Sequence, residues 1–463
     1  GSTFKPFVYA TMFKKGYTPE TVLYDYPMEF SQYCNPDGTP KNSSDDPQKV
    51  CYSPQEFDKI YTGPMTIRQA LAQSRNIPAV QGLYLAGMRD SLQTAEDLGI
   101  TTLNDPNRYG LTLVLGGGEV SPLEITSAYG VFANDGIRNP TRSVLEVRDS
   151  KGNVLEQSSL TPFKALEPDI ARQITSILSD NSVRMASLKP IADSIGRKVA
   201  MKTGTTNDFR DVWAIGYTPS LVVGAWAGNN DNSPMSQNIA GLIISPLWGA
   251  YMSQVAKNFP PEDFPLAPTP KTDTKPVMRG IWQGGLSYRI DTVSGKLATE
   301  YTPKETTKEN VFNSIHSILH WVDKSDPNGP IPTNPSQDVQ YDHWEYAVRK
   351  WFDQWKTVHP EFKESTDLRI PTEKDDVHVP EKAPKVSIVS PANGLIVNPN
   401  NTLFVKIQSL GNFPPKKTEI YLNGKYILTN ETSPTDISFI PADVGDLQSV
   451  NTLKIKLFDS VYN

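Results

Sequence analysis

The sequence predicts an α+β domain, an antiparallel sheet flanked by helices, followed by an all-β sandwich. Three observations carry this. Residues 198–205, 211–217 and 220–227 are short strand-like runs in immediate succession, with Asn207-Asp208 and Tyr217-Thr-Pro219 as turns, which is the pattern of an antiparallel meander. Segments with one apolar face at helical spacing bracket that meander. From Lys385 onward six strand-like runs alternate with turns, one of them Asn423-Gly424.

The elements follow in order. Phe4, Phe7, Val8 and Met12 share one helical face, and Pro6 fits only a first turn, so a helix begins at about Ser2 or Thr3. Residues 66–74 form a second helix that ends near Asn76, because Pro78 disfavours helix at Ile77. Gly116-Gly117-Gly118 is a tight turn ahead of a helix at Pro122. It lacks the Lys-Ser/Thr of a phosphate-binding loop. Pro168 opens a further helix through Ile170, Ile174 and Ile177. Between residues 259 and 384, 15 of 126 positions are Pro, which predicts a Pro-rich linker with a mixed extension. Inside it, residues 288–299 read as a hairpin around Ser294-Gly295, and residues 371–384 as a charged, strandless linker. Trp344, Val348, Trp351, Phe352 and Trp355 space as an amphipathic helix whose indoles pack more readily than they bind glycan. The domains are thus 1–258, 259–384 and 385–463, the last an immunoglobulin-like sandwich.

A chain of 463 residues has room for about three domains. Its net charge of −6 argues against a nucleic-acid partner, which needs a basic face. No run of 18 apolar residues is present to span a bilayer. The opening Gly1-Ser2 reads as the start of a piece of a longer protein, with any targeting segment upstream. The two cysteines, Cys34 and Cys51, enclose a polar loop. They form a candidate disulfide, and with it an oxidising, extracytoplasmic setting; the alternative is two free thiols. Without a nearby His they do not make a metal site.

The five histidines lie at positions 316, 320, 343, 359 and 378. Nucleophilic chemistry in the first 315 residues must therefore use another base. Ser2-Thr3-Phe4-Lys5 supplies one. Residues i and i+3 share a helix face, so the amine lies beside the hydroxyl, and burial or neighbouring cations lower its proton affinity. Ser74-Arg75-Asn76 ends the second helix with a hydroxyl that can relay a proton and an amide that can grip a peptide group. Ser179-Asp-Asn181, Ser236-Gln-Asn238 and Ser449-Val-Asn451 match that triplet equally well. Lys202-Thr203-Gly204-Thr205 lies on a strand. Its cation and hydroxyls suit a carboxylate, Gly204 admits a close ligand backbone, and Thr205 could offer an oxyanion N–H. Alone, each triplet reads equally as ordinary surface. In the order Ser-x-x-Lys, Ser-x-Asn, Lys-Thr-Gly they are specific. Asp208, Arg210 and Asp211 either orient this site or make a surface salt bridge.

Residues 1–258 resemble the transpeptidase domain of class A (bifunctional) penicillin-binding proteins. The likeness extends to residues 63–80, 115–124, 126–133, 202–208 and 216–219. It implies the penicillin-binding transpeptidase, serine β-lactamase-like fold. It implies Ser2, Lys5, Ser74 and Lys202 as catalytic residues, and Asn76, Thr203, Gly204 and Thr205 as substrate-binding ones. The implied substrate is a peptidoglycan stem peptide ending in D-Ala-D-Ala, and β-lactams acylate the same serine. No metal or organic cofactor is implied. The family's upstream glycosyltransferase domain, membrane anchor and first sheet strands are absent from these residues, and the Cys34–Cys51 loop looks like an insertion that adds a lid, a partner surface or nothing. The implied place is the extracytoplasmic face of the bacterial plasma membrane, with the membrane reached only through the missing anchor and with divisome or elongation proteins as further partners. The rival functions are a D,D-carboxypeptidase or β-lactamase, and a non-catalytic β-lactam sensor or wall-binding scaffold.

Overall fold

The structure is a computed structural model. It describes all residues except Leu160, Asn207 and Asp208, with backbone alone described for residues 237–243. The expected turn at Asn207-Asp208 lies outside the described residues. The chain divides into two compact units, residues 1–286 with 312–365, and residues 287–311 with 366–463.

In the first unit the opening residues Ser2–Phe4 form a 3-10 turn that runs into the helix α1, Lys5–Lys14, with Pro6 in its first turn. Nearly all of α1 is buried, so its amphipathic pattern is weaker than the sequence suggested: core surrounds it. The second helix, α2, spans Ile67–Ala72. Thr66 caps it through Gln69 N, and the Gln69 side chain returns to Thr66 N, a reciprocal capping box. A third helix, α3 (Ile77–Ala86), starts directly after the Ser74-Arg75-Asn76 corner with Pro78 in its first turn. The helices Pro122–Ala133 and Pro168–Leu178 begin at the prolines expected.

The strands β1 (Ala200–Thr205), β2 (Asp211–Thr218) and β3 (Leu221–Gly228) form the predicted antiparallel meander in the order β1-β2-β3, with Lys202 opposite Ile215 and Gly204 opposite Trp213. Trp213 and Trp226 pair across β2 and β3 at 6.3 Å between ring centroids, as sheet-packing residues. The helix Tyr341–Val358 packs in this unit: Trp344 is fully buried against Phe30 and Tyr84, and Trp351 lies on Tyr24. These indoles are packing residues.

The second unit holds the sandwich. Six strands form two three-stranded sheets around Val405, Ile407, Ile420, Leu422, Ile437 and Leu457. The middle of the chain departs from expectation. Residues 259–384 are not a separate domain but are shared between the two units. The predicted hairpin exists, since Ala298 N bonds Arg289 O across the turn at Gly295, yet the ladder partner of Ser287–Asp291 is Thr307–Val311. Nor are residues 371–384 a free linker. Leu297 N bonds Glu373 O and Asp375 N bonds Leu297 O, while Asp375 and His378 are buried. Composition misleads here because Pro and charge report local solubility, whereas these backbone groups are satisfied by partners some 77 positions away.

Cys34 and Cys51 are joined, with their Cα atoms 5.6 Å apart. Closing a loop of this length constrains the unfolded chain by up to about 3 kcal/mol. Cys34→Ser with Cys51→Ser should lower the denaturant midpoint of the protein, and reductant should then have no further effect; an unchanged midpoint would show that the loop is energetically idle.

Candidate functional site

The three triplets meet at the Ser74-Arg75-Asn76 corner. Lys5, fully buried on α1, places Nζ 2.6 Å from Ser74 O, 2.9 Å from Arg75 O and 2.8 Å from Asn76 Oδ1. Lys202, buried on β1, places Nζ 2.7 Å from Ser74 Oγ and 2.8 Å from Thr203 O. Gly204 lies flat against the opening turn. A Cβ there would sit 3.1 Å from Thr3 N and 3.3 Å from Ser2 N, so the strand and the Ser2 backbone are as close as a side-chain-free position permits. Thr203 is half-buried and Thr205 exposed at the end of β1, open to an incoming group.

Ser74 takes a φ of +61°, in the left-handed region that non-glycine residues rarely enter. The corner needs it. The helix α2 has ended, the next begins at Ile77, and the chain must reverse so that Ser74 O and Arg75 O both face Lys5. Both amines hold the corner in that state.

Burial lowers the Lys5 pKa to about 7, assisted by the Arg75 guanidinium and opposed by Glu56 and Asp25. Burial, then the Lys5 charge, pushes Lys202 well down. Among the charges acting on Lys5, Arg75 is the neighbouring cation that lowers its proton affinity. The expected contact of Lys5 with Ser2 Oγ is not made: among the described residues Lys5 Nζ spends its hydrogen bonds on the corner. Three acceptors are what an ammonium wants. Ser2 and Lys5 still share a face, as their i, i+3 spacing predicts.

Beneath the corner lies a buried charge network that the triplets do not reveal. Glu56, 4 % exposed, accepts from Asn76 N at 2.7 and 2.8 Å and from Ile77 N at 2.7 Å, at the start of α3. Burial raises its pKa and these backbone bonds pull against that. Arg75 bonds Asp25 and Asp58, its Nε lies 3.5 Å from Glu56, and it also donates to Ile60 O. Gln55 O accepts from Asn76 Nδ2 at 2.9 Å. Gln55 and Glu56 follow Cys51 by four and five positions, so the disulfide loop ends in the segment that fixes the corner. The loop is therefore tied to the corner through its C-terminal side. The one sequence signal that pointed this way was the Cys pair itself.

The competing triplets lie elsewhere. Asn181 is engaged by Asp193, Ser449 and Asn451 belong to the second unit, and the side chain of Asn238 is outside the described residues. Asp211 accepts from Trp226 Nε1 at 2.9 Å and from Thr206 Oγ1 at 3.1 Å, which makes it an anchor of the β2–β3 ladder and of the loop after β1. Asp208 is outside the described residues. His316 and His320 stack at 3.7 Å, with His316 on Glu345 and His320 on Tyr341.

The family described as penicillin binding protein transpeptidase domain matches residues 1–245. Penicillin-binding protein 1A of Neisseria lactamica is 33 % identical over 267 residues, 56 % of this chain and 32 % of that protein. The same-named protein of Aquifex aeolicus is 31 % identical over 273 residues, 58 % of this chain and 34 % of that one. The chain thus spans about a third of the length of these relatives. The crystal structure of penicillin-binding protein 1A from Haemophilus influenzae aligns with a TM-score of 0.50 at 23 % identity, covering 68 % of this chain and 47 % of that one; it speaks to the fold alone. No helix among the described residues is long and apolar enough to cross a membrane.

Proposed function

This chain belongs to the penicillin-binding protein transpeptidase family, and from that premise we propose that it is a serine D,D-transpeptidase that cross-links peptidoglycan stem peptides outside the plasma membrane. The observation that carries the proposal is the convergence of Lys5 and Lys202, 197 residues apart, on one corner with amines desolvated on both sides of Ser74.

The residues divide the work as follows. Neutral Lys5 releases one corner acceptor, turns its lone pair on Ser2 Oγ and takes its proton. Ser2 attacks the penultimate carbonyl of a D-Ala-D-Ala terminus, with the Ser2 and Thr205 N–H groups receiving the oxyanion, each such donor worth about 3 kcal/mol. The proton passes through Ser74 and Lys202 to the leaving D-Ala nitrogen. Lys202, Thr203 and Thr205 face its carboxylate, Gly204 lets the peptide lie along β1, and Asn76 holds the donor side-chain amide. An amine from a second stem peptide then displaces the ester. The site faces peptide and β-lactam partners, and the reaction is carried by the chain's own side chains and backbone N–H groups.

A hydrolytic rival needs a carboxylate free to activate water. Glu56 and Asp25 are the nearby buried acids: the Glu56 oxygens are taken up by Asn76 N, Ile77 N and Arg75, and Asp25 is held by Thr62 and Arg75. This supports a long-lived acyl-enzyme. The test is mass spectrometry of products from a pentapeptide ending in D-Ala-D-Ala with a free acceptor amine in excess. Cross-linked dimer with loss of D-Ala is expected; tetrapeptide acid alone would establish a carboxypeptidase, and no turnover with a stable penicillin adduct would establish a sensor.

The pH profile follows from Lys5. Its protonated fraction grows as pH falls through about 7, and only the neutral amine serves as base. The penicillin acylation rate should therefore fall about tenfold per pH unit below that value and level off above it. A flat profile from pH 5 to 8 in stopped-flow measurements would remove Lys5 from the role.

A further inference from the structure

The second unit contains a group of chemistry-bearing side chains that the transpeptidase reading does not use. Asp291, Asp375 and His378 are 0, 3 and 1 % exposed, and one ligand atom from each lies within 4.8 Å of the others. Asp291 ends the strand Ser287–Asp291; Asp375 and His378 sit on the segment anchored to Leu297.

The hydrogen bonds define what the cluster lacks. His378 Nε2 lies 2.8 Å from Val461 O. A carbonyl only accepts, so Nε2 carries the proton. Nδ1 lies 2.7 Å from Asp375 Oδ2 and 3.5 Å from Asp291 Oδ1. Carboxylate oxygens only accept, so either Nδ1 also carries a proton and the ring is itself a cation, or a metal ion takes its lone pair. Asp375 is otherwise satisfied: Oδ2 accepts from Thr302 Oγ1 at 2.7 Å, and Oδ1 from Val377 N at 2.9 Å and His378 N at 3.3 Å. Asp291 Oδ2 accepts from Ser294 N at 2.6 Å, whereas its Oδ1 is buried and has no hydrogen-bond partner. Three electron-rich atoms thus converge in a space closed to water, one of them an orphaned carboxylate oxygen. Such an arrangement is stable only around a cation.

A proton on Nδ1 would satisfy Asp375 and leave Asp291 Oδ1 with an ion pair at 3.5 Å but no hydrogen bond. A metal ion answers all three atoms at once. The His378–Val461 bond is also the outer contact that metal-bound histidines make, one ring nitrogen on the metal and the other donating to a carbonyl. One imidazole nitrogen with two carboxylate oxygens suits a borderline first-row divalent ion such as zinc. It does not suit calcium or magnesium, which take six or more oxygens.

We propose that Asp291, Asp375 and His378 form a structural binding site for a zinc-like divalent metal ion. It clips together the hairpin after β3 of the chain (residues 287–311), the segment 366–384 and, through Val461, the C-terminal tail. It lies outside the cluster built on Lys5 and Lys202, and its loading does not depend on the transpeptidase reading.

The experiment uses the full chain, stripped with chelator and dialysed against micromolar zinc chloride, with bound metal read by mass spectrometry and melting by calorimetry. One zinc per chain and a raised melting temperature are expected, with millimolar calcium or magnesium giving neither. Asp291→Asn and His378→Gln should each weaken zinc binding at least tenfold, while His320→Gln, at the stacked pair in the first unit, should leave it unchanged. Substoichiometric zinc in the unaltered chain, or equal zinc in Asp291→Asn, would overturn the proposal. So would nitrogen NMR of the unaltered chain in zinc showing both His378 ring nitrogens protonated, because a buried imidazolium would then be the cation. If a variant fails to fold, the unaltered chain's stoichiometry and melting shift decide alone.

Discussion

Ser2→Ala is expected to abolish the covalent penicillin adduct. Removing a catalytic serine from a unit of coupled groups lowers turnover by roughly six orders of magnitude, so intact mass after hours of incubation should show unmodified protein. The control matters because the structure offers a second serine. Ser74 Oγ lies 2.7 Å from a desolvated lysine, a closer hydroxyl–amine pair than any Ser2 makes among the described residues. If Ser74 relays a proton, Ser74→Ala should retain the adduct and form it about 10²–10⁴ times more slowly, the usual worth of positioned proton transfer. An adduct that survives Ser2→Ala and disappears in Ser74→Ala would move the nucleophile to the corner. The assignment of all three triplets would then have to be redrawn.

Arg75→Ala is expected to be the most destabilising single change near the site. The Arg75 side chain is 9 % exposed and faces Asp25 and Glu56, at 0 and 3 %. Their mutual attraction offsets the cost of taking three charges out of water. Removing this cation leaves two buried carboxylates with only the weakly basic Lys5 amine nearby, which costs about 3–5 kcal/mol. Calorimetry should show a loss of that size with the Lys5 and Lys202 side chains untouched. Adding Asp25→Asn should recover part of it, since it removes one stranded charge. Strict additivity of the two changes would show that the pair is not coupled.

The sequence conveyed what is local. The helix at Lys5, the second helix near Thr66, the prolines that open later helices, the three-stranded meander and the six sandwich strands all follow from spacing within about a dozen residues. The three triplets were legible because each is a short run on one element, and their order suggested a common site. What the sequence withheld is long-range. Glu56 and Asp25 are unremarkable acids until folding brings them under Asn76 and Arg75. Asp291 and His378 are separated by 87 positions, and the residues around His378 have the composition of a solvated linker. Burial of charge is a property of the assembled unit, and no window along the chain reports it. The one site expectation that geometry altered, Lys5 on Ser2 Oγ, failed because spacing fixes a shared face but not which acceptor an amine prefers.

The left-handed turn at Ser74 has a consequence for reading mutants. Torsion stored at one residue relaxes when its restraints go, so deleting either amine would let the peptide swing back and carry the hydroxyl away with it. Lys5→Ala would then report a lost base and a collapsed scaffold together. Ser74→Gly separates them: it abolishes the torsional penalty, and the chain should melt later while reacting more slowly, which would mark position 74 as a place where robustness has been traded for reactivity.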